Sequence, residues 1–305
     1  MSGAAAAAPN EAMRRQAWRQ SREAYGWHTA LAPRHADLDL LRHLNNAAVI
    51  GLHIEARIRW LDALLPRAAG DGLRLRPAGL WTDFLAEGAY PASLEAGVAL
   101  LCVDAEAAHI ATALFQQARC IGLQHTELAA WQDGERVPLP AALVQQLRRH
   151  EQPRPLPAQV HAAFGAPANQ AIEELLATRY ADVDAEGLLS DVALARYLEH
   201  GRSRWWLDGG TDPSRLPLTG GVDVMVAHIA LRVHRATPVP VTWRLRTGVQ
   251  ALGRSSVVLR CRLFDGDALQ ADSEAVLVAI DPATHRPAPL PEAVRDRWSA
   301  LLPAP

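Results

Sequence analysis

Two stretches of the chain decide its fold: RHADLDLLRHLNNAAVIGLHIEARIRW at residues 34–60 and RYADVDAEGLLSDVALARYLEHGRSRW at residues 179–205. They align without a gap at an offset of 145, and nine of their 27 positions are identical. Agreement of this extent indicates that one structural unit has been duplicated. The offset pairs Asp39 with Asp184 and Trp60 with Trp205.

Each stretch passes from a short Asp-x-Asp motif into a helix. Asn45-Asn46 and Ser190-Asp191 are residue pairs that favour helix N-caps, and long helix-compatible runs follow them. Farther along each half, alternating or continuous apolar runs separated by turn residues predict several antiparallel strands. The predicted class is therefore α+β, with two repeats that each hold a long central helix wrapped by an antiparallel β-sheet.

A proline-rich piece at residues 137–157 separates the two halves and contains a predicted short helix from Ala141 to His150. From these signals we divide the chain into four parts. They are an N-terminal extension at 1–25, a first repeat at 26–140, a linker with the short helix at 141–170, and a second repeat at 171–305.

The composition excludes several function classes. The formal charge is −2, so no overall positive field attracts nucleic acid or an anionic membrane. All 31 basic residues are arginine, which excludes lysine Schiff-base chemistry and a phosphate-loop lysine. No apolar run reaches the roughly 20 residues that a membrane-spanning helix requires.

Cysteine usage is equally restrictive. Cys102, Cys120 and Cys261 are far apart and form neither a CxxC pair nor a zinc-type cluster with histidine. We therefore expect no disulfide framework and no metal site, and a reducing cytoplasm is the expected compartment. The serine-hydrolase, zinc-protease and dinucleotide-binding motifs are also absent from the sequence, and we expect no metal or redox cofactor.

The order Asp-x-Asp, His or Gly, Asn-Asn and Glu-x-x-Arg resembles the hotdog-fold thioesterases of the 4-hydroxybenzoyl-CoA thioesterase superfamily. DLDLLRHLNN in the first repeat is also similar to the DxD…HVNN box of acyl-ACP thioesterases. DVDAEGLLSD…RYLEHGR in the second repeat is more similar to the small bacterial acyl-CoA thioesterases. The resemblance implies a tandem double hotdog and an acyl-CoA or acyl-ACP substrate, with CoA present only as part of the substrate.

By register, the resemblance implies that Asp39 and Asp184 are catalytic carboxylates. It also implies that a backbone N–H at Asn46 or Asp191 polarises the thioester carbonyl. Elementary chemistry agrees, because a carboxylate can attack or activate water, and a helix N-terminus offers unpaired N–H groups to a developing oxyanion. Which of the two roles the carboxylate takes stays open.

The two repeats match the family pattern at different positions. His43 and Asn45 add polar groups to the first site, which the motif slightly favours. In the second repeat Gly187 and Glu199 support the site, but Leu188 stands where the first repeat has His43. The chain accordingly has either one working site or two.

Arg57 and Arg202 repeat at the same helix position and are candidate phosphate contacts, although arginine at helical spacing usually forms salt bridges. Two rival functions also stay open. A hotdog hydratase or dehydratase would use Asp39 with His43, and a non-catalytic protein would bind acyl thioesters without turnover. In the last case Asp39 and Asp184 would serve in a turn before the helix. We expect either a monomer that acts as a pseudo-dimer or a homodimer of double hotdogs.

Overall fold

A computed structural model describes residues 12–65, 73–162, 164–165, 172–208, 222–236 and 238–302. The chain divides into two compact units, each described here by itself. The first comprises residues 1–162 with 235–237, and the second comprises residues 163–234 with 238–305. None of the described helices is long and apolar enough to cross a membrane.

The first unit is an antiparallel sheet with one long helix. Its strands are β1 (Trp27–Leu31), β2 (Arg74–Phe84), β3 (Leu94–Val103), β4 (Ala108–Gln116), β5 (Arg119–Gln132) and the short β6 (Glu135–Val137). The strand order is β1-β3-β4-β5-β2, and β6 pairs with β5. The helices are α1 (Asn46–Leu64), α2 (Ala141–Arg148) and α3 (Ala158–His161).

The core of the first unit lies between α1 and the sheet. Val49 and Trp60 of α1 pack with Val98 of β3 and with Ile110 and Leu114 of β4 in one buried apolar cluster. Burying such side chains stabilises the unit by roughly 1.5–3 kcal/mol for each Val, Leu or Ile. The helix is therefore held by its packing against the sheet, as its largely apolar first half predicts.

The second unit has its own sheet and long helix. Its strands are β7 (Ile172–Ala177), β8 (Asp223–Val233), β9 (Thr242–Leu252), β10 (Ser256–Asp265) and β11 (Ala268–Ile280). They follow the order β7-β9-β10-β11-β8, which is the order of the first unit. The helices are α4 (Asp191–Asp208) and α5 (Glu292–Ser299). Both sheets are antiparallel and both long helices are present, as predicted.

The segment assigned to a linker contains the expected short helix, as α2. Val144 and Leu147 of α2 belong to the buried cluster of the first unit, so this helix is part of that unit's core. The first compact unit accordingly extends to residue 162, beyond the boundary drawn at 140. The proline pattern marked the ends of the helix but carried no information about what the helix packs on.

The described part of the N-terminal extension also packs on the first unit. Residues 13–24 form three short 3-10 turns, and Met13 and Arg19 are fully buried. Tyr25 donates a hydrogen bond to the Arg19 carbonyl (2.7 Å) and its ring meets the Phe115 ring of β4 edge-on. This segment covers the face of the sheet opposite α1.

Candidate active site

The Asp-x-Asp motif of the first unit forms a closed turn immediately before α1. The Asp39 amide donates to the His43 carbonyl (2.9 Å), and the Arg42 amide donates to the Asp39 carbonyl (3.1 Å). The Asp39 carboxylate accepts hydrogen bonds through Oδ1 from the amides of Leu41 (2.8 Å) and His43 (3.0 Å). Its Oδ2 accepts none from the residues that the structure describes. One carboxylate oxygen thus holds the turn while the other is available.

The second unit repeats this turn. The Asp184 amide donates to the Leu188 carbonyl (2.9 Å), and the Gly187 amide donates to the Asp184 carbonyl (3.1 Å). Asp184 Oδ1 accepts from the amides of Glu186 (2.9 Å) and Leu188 (3.0 Å). Each of these bonds has its counterpart in the first unit at the offset of 145. Both carboxylates therefore have the turn-forming role that is common for Asp before a helix.

The third residue after the Asp is left-handed in both turns. Gly187 has φ +78°, and its counterpart Arg42 has φ +63°. Glycine adopts this conformation freely, whereas a residue with a Cβ is strained there by roughly 1–2 kcal/mol. Gly187 avoids this strain, whereas its counterpart Arg42 bears it.

The turn of the first unit is followed directly by the N-terminus of α1. Asn45 is the N-cap, since its Oδ1 accepts from the amides of Ala47 (2.7 Å) and Ala48 (3.4 Å). The Asn46 amide, at the first helical position, donates to no acceptor among the described residues. Unpaired amides of this kind carry the positive end of the helix dipole, so Asn46 lies where the predicted carbonyl-polarising donor belongs.

In the second unit α4 begins at Asp191, which is also the predicted donor position. The Ser190 hydroxyl accepts from the Ala193 amide (3.1 Å), so Ser190 caps this helix as Asn45 caps α1. The Ser190 amide donates to the Asp182 carbonyl (2.9 Å), as the Asn45 amide donates to the Asp37 carbonyl (2.8 Å). Asn45 is therefore observed as a helix cap, and the catalytic role that the motif suggested for it stays a prediction.

His43 faces a residue that the sequence analysis missed. Its Nε2 lies 3.4 Å from Glu87 Oε2, and both side chains are more than a third exposed. The Leu44 amide donates to the Gly88 carbonyl (2.9 Å), which holds the loop containing Glu87 beside the turn. No sequence signal links positions 43 and 87, because the loop between β2 and β3 brings them together. Among the hydrogen bonds of the described residues, His43 reaches the Asp39 carboxylate through its backbone amide and not through its ring.

The first Asp of each motif, Asp37 or Asp182, holds a turn through its carboxylate. Asp37 Oδ2 accepts from the Arg34 amide (2.6 Å), and Asp182 Oδ2 accepts from the Arg179 amide (2.8 Å). The second unit adds a bond from the Tyr197 hydroxyl to Asp182 Oδ2 (2.7 Å). Burial, followed by this bond, raises the pKa of Tyr197, so the hydroxyl stays protonated as the donor.

The arginines proposed as phosphate contacts are inside the units. Arg57 is 2% exposed and its Nη1 lies 3.4 Å from Thr126 Oγ1, while Arg202 is 4% exposed. Burial lowers the pKa of Arg202. A phosphate contact at the protein surface is therefore not supported at either position. Arg57 and Arg202 are identical because both occupy the same buried position of their helix. From the sequence alone, this identity could equally have meant that both arginines bind a ligand.

Glu199, the other supporting residue, is half-buried on α4. Among the described residues, no group of three or more His, Cys, Asp or Glu side chains is placed to hold a metal ion.

Comparison with known proteins is consistent with this architecture. Residues 178–298 match the model of the thioesterase-like superfamily, so the second unit carries the sequence signature of that superfamily. No curated protein sequence matches the chain.

Several solved structures, two acyl-ACP thioesterases among them, are similar over most of the chain. The 12:0-ACP thioesterase from Umbellularia californica has a TM-score of 0.69 at 10% identity, covering 86% of this chain and 99% of that one. An acyl-ACP thioesterase from Bacteroides thetaiotaomicron has a TM-score of 0.63 at 11% identity, covering 82% of this chain and 97% of that one. At this identity the likeness shows that the chain has the hotdog-like fold of thioesterases, and it shows nothing finer.

Proposed function

We propose that this protein is a thioesterase that hydrolyses an acyl thioester of CoA or acyl carrier protein to the free acid and the thiol. The observation that carries the proposal is the junction of turn and helix in the first unit. There Asp39 Oδ2 accepts no hydrogen bond from the described residues, and the turn that contains Asp39 is followed directly by α1, whose first amide, that of Asn46, is unpaired. The superfamily match of the second unit and the thioesterase names of the structural neighbours support the same reaction class.

In the proposed reaction Asp39 acts through Oδ2, either by attacking the thioester carbonyl or by taking a proton from the attacking water. The Oδ1 bonds to Leu41 and His43 hold the carboxylate in place, which limits the motion that would otherwise slow the step. The Asn46 amide and the positive end of α1 stabilise the oxyanion that forms on the carbonyl oxygen. Collapse of the tetrahedral species breaks the carbon–sulfur bond. If water attacks, the proton that Asp39 took from it passes to the leaving thiolate; if Asp39 attacks, the acyl group stays on its carboxylate as a mixed anhydride, which water then hydrolyses to the free acid while the thiolate takes up a proton. No metal or redox cofactor takes part in this scheme.

We assign the main site to Asp39 rather than to Asp184. The first turn carries His43 and Glu87 at its rim, whereas the second turn has the buried Leu188 at the His43 position. Ionisable groups beside the turn can shuttle protons to solvent, and a leucine cannot. Asp184 remains a candidate for a second site because its turn has the same backbone geometry.

We further infer that the chain is a tandem double hotdog. Its two units share strand order, turn hydrogen bonds and the nine identities at an offset of 145. Either a monomer that carries both units or a homodimer of such chains fits this inference. Size-exclusion chromatography with light scattering distinguishes the two states.

The decisive experiment replaces Asp39 and Asp184 by Asn, singly and together. Asn retains a side-chain oxygen for the turn, so these variants remove the charge and leave the fold. We expect Asp39→Asn to lower kcat for thiol release from an acyl-CoA and acyl-ACP panel by about 10²–10⁴-fold, the usual share of a positioned acid or base. Asp184→Asn should have a smaller effect.

Asp104→Asn is the matched control. Asp104 Oδ1 accepts from the amides of Glu106 (2.8 Å) and Ala107 (3.0 Å) in a similar turn away from the proposed site. Its substitution should leave thiol release unchanged. Unchanged rates in the Asp39/Asp184 double variant would refute the mechanism.

A non-catalytic role is the alternative that a specific observation favours, because both Asp carboxylates already have a structural task in their turns. It predicts that acyl-CoA binds in a calorimeter with no thiol release at any chain length. The hydratase alternative is disfavoured, since the His43 side chain faces Glu87 and not the Asp39 carboxylate.

A further inference from the structure

The sheet of the second unit carries a cluster of arginines on the face opposite α4. Leu245 and Thr247 of β9 lie on the other face, where they meet Gly201 of α4. Because side chains alternate along a strand, the residues between them point away from the helix. The arginine face consists of Arg244 and Arg246 of β9 with Arg260 and Arg262 of β10, and Arg246 lies directly opposite Arg262 in the strand pairing.

Three of these four arginines have an acidic partner. The pairs are Arg260 with Asp272, Arg244 with Asp267 (2.9 Å) and Arg246 with Glu173 (3.4 Å). The Asp267 side chain is fully exposed and that of Glu173 is 47% exposed. Exposed ion pairs of this kind contribute little to stability, so Arg244 and Arg246 can exchange these partners for a bound anion.

Arg262 is half-buried and makes no hydrogen bond or ion pair with the residues that the structure describes. Its neighbour on β11, Asp272, already pairs with Arg260 and with His234. The Arg262 guanidinium lies over the Phe264 ring, 5.0 Å from the ring centroid. Burial, followed by repulsion from Arg260, lowers the pKa of Arg262. Its charge therefore lies among like charges without a counter-ion of its own, which is unfavourable for neighbouring strands.

The fold does not require these arginines, because the first unit has other residues at the same sheet positions. The strand pairings of the two units superimpose when Phe115 of β4 is matched with Phe264 of β10. The positions of Arg244, Arg246, Arg260 and Arg262 are then those of Glu95, Gly97, Ala111 and Ala113.

The small residues of the first unit have a structural use that the arginines lack. Tyr25 of the N-terminal extension lies on Gly97, where an added Cβ would come within 2.6 Å of the Tyr25 ring. In the first unit this face is thus covered by the chain itself. The basic character of the same face in the second unit is a feature of that unit alone.

We propose that the arginine face binds a phosphate group, as the free ion or as the phosphate monoester of a small molecule, between Arg246 and Arg262. A phosphate dianion has several acceptor oxygens and enough charge to pair with two guanidinium groups at once. It supplies the counter-ion that Arg262 lacks and offsets the repulsion between the two opposed arginines. The site does not depend on the proposed thioesterase activity.

The experiment titrates the full-length protein with inorganic phosphate by isothermal calorimetry at about pH 8, where phosphate is largely dianionic. Sodium chloride keeps the ionic strength constant, which separates binding from screening. We expect saturable binding at millimolar phosphate or below. Arg262→Gln should weaken it by at least about tenfold, because the variant removes a charged donor. The control Arg254→Gln changes an exposed arginine in the turn between β9 and β10, and it should bind phosphate as the wild type does.

Two further measurements complete the test. Without ligand, Arg262→Gln should have the same Tm as the wild type or a higher one, since no ion pair of Arg262 is lost. Glycerol 3-phosphate, with glycerol as its neutral counterpart, identifies the source of the phosphate. Tighter binding of the ester than of inorganic phosphate assigns a phosphate monoester, and the reverse order assigns the free ion.

Three results would overturn the proposal. They are no binding of either phosphate at millimolar concentration, wild-type affinity in Arg262→Gln, and a fall of several degrees in the Tm of Arg262→Gln. The last result would show that this guanidinium serves the fold rather than a ligand.

Discussion

The turns at Asp39 and Asp184 have the same backbone hydrogen bonds but different surroundings. In the first unit the turn carries a strained Arg42, with His43 and Glu87 beside it. In the second unit the turn has a relaxed Gly187 and a buried Leu188. The comparison teaches that the Asp-x-Asp motif specifies a local structure in both places. The groups around the two turns differ, and the proposed function assigns proton transfer to the first turn because of that difference.

The same contrast extends along the two long helices. His53, Arg57 and Trp60 of α1 correspond to Leu198, Arg202 and Trp205 of α4. Each pair occupies one buried position, and its members have different partners. Substitution at these pairs therefore tests whether the two units have diverged in stability as the structure indicates.

The largest change in the free energy of unfolding is expected when Trp60 or Trp205 is substituted. Trp60→Ala and Trp205→Ala should each destabilise by about 3–5 kcal/mol, because both side chains are at least 96% buried. Trp205→Ala should cost about 1 kcal/mol more, since it also breaks the contact with Trp298. Urea denaturation followed by circular dichroism measures both values. Equal losses would show that the contact between Trp205 and Trp298 adds nothing to stability.

The buried arginines should respond in the opposite direction. Arg202 Nη1 is buried with no acceptor among the described residues, so Arg202→Met should raise the free energy of unfolding by about 1–4 kcal/mol. Arg57 Nη1 donates to Thr126 Oγ1 (3.4 Å), and Arg57→Met loses this hydrogen bond. Arg57→Met should therefore raise the free energy of unfolding by less than Arg202→Met. Thermal unfolding of the two variants checks the order. A large loss of stability in Arg202→Met would show that this guanidinium is paired in the folded protein.

His53 is an ionisable group at a buried position of α1, and Leu198 at the equivalent position of α4 has no such group. Its Nδ1 lies 2.7 Å from Thr112 Oγ1, and complete burial lowers its pKa from 6.5 to about 3. Below pH 6.5 the unfolded chain takes up a proton that the folded chain does not. Stability is therefore lost as the pH falls, by up to about 1.4 kcal/mol per pH unit and by about 2 kcal/mol at pH 5.

Unfolding at pH 7 and pH 5 tests this dependence. His53→Leu introduces the residue found at the equivalent position 198 of the second unit. This variant should remove most of the decrease in the free energy of unfolding between pH 7 and pH 5. Replacing the exposed His150 by Gln is the control and should leave the loss unchanged. A wild-type protein equally stable at both pH values would disprove the assignment of His53 as a buried neutral histidine.

The smallest effect is expected at the left-handed position of the turns. Arg42→Gly should relieve strain and change stability by about +1 kcal/mol at most, whereas Gly187→Ala should cost about 1 kcal/mol. Differential scanning calorimetry resolves such shifts as a few degrees in Tm. A rise in Tm for Arg42→Gly together with a fall for Gly187→Ala would support the same turn geometry in both units. Changes of Tm in the same direction would contradict it.

Much of the fold was predictable because its signals are local. The Asp-x-Asp turn is held by bonds within five residues, and the helix caps at Asn45 and Ser190 act within three. The packing of α2 on the first unit and the contact of His43 with Glu87 were not predictable. Both depend on residues that are distant in the chain and carry no pairing signal.

The sequence by itself indicated a repeat, and it determined the turn-to-helix junctions with the positions of Asp39, Asp184, Asn46 and Asp191 in them. These features could be predicted because the hydrogen bonds of a turn or helix cap, and the periodicity of a helix, depend on residues that are close together in the chain. Only the tertiary structure decided that Arg57 and Arg202 are buried, that His43 faces Glu87, and that Trp205 packs against Trp298. Those outcomes depend on which surfaces the folded sheet brings together, and the burial of a side chain is a property of its neighbours rather than of its own identity.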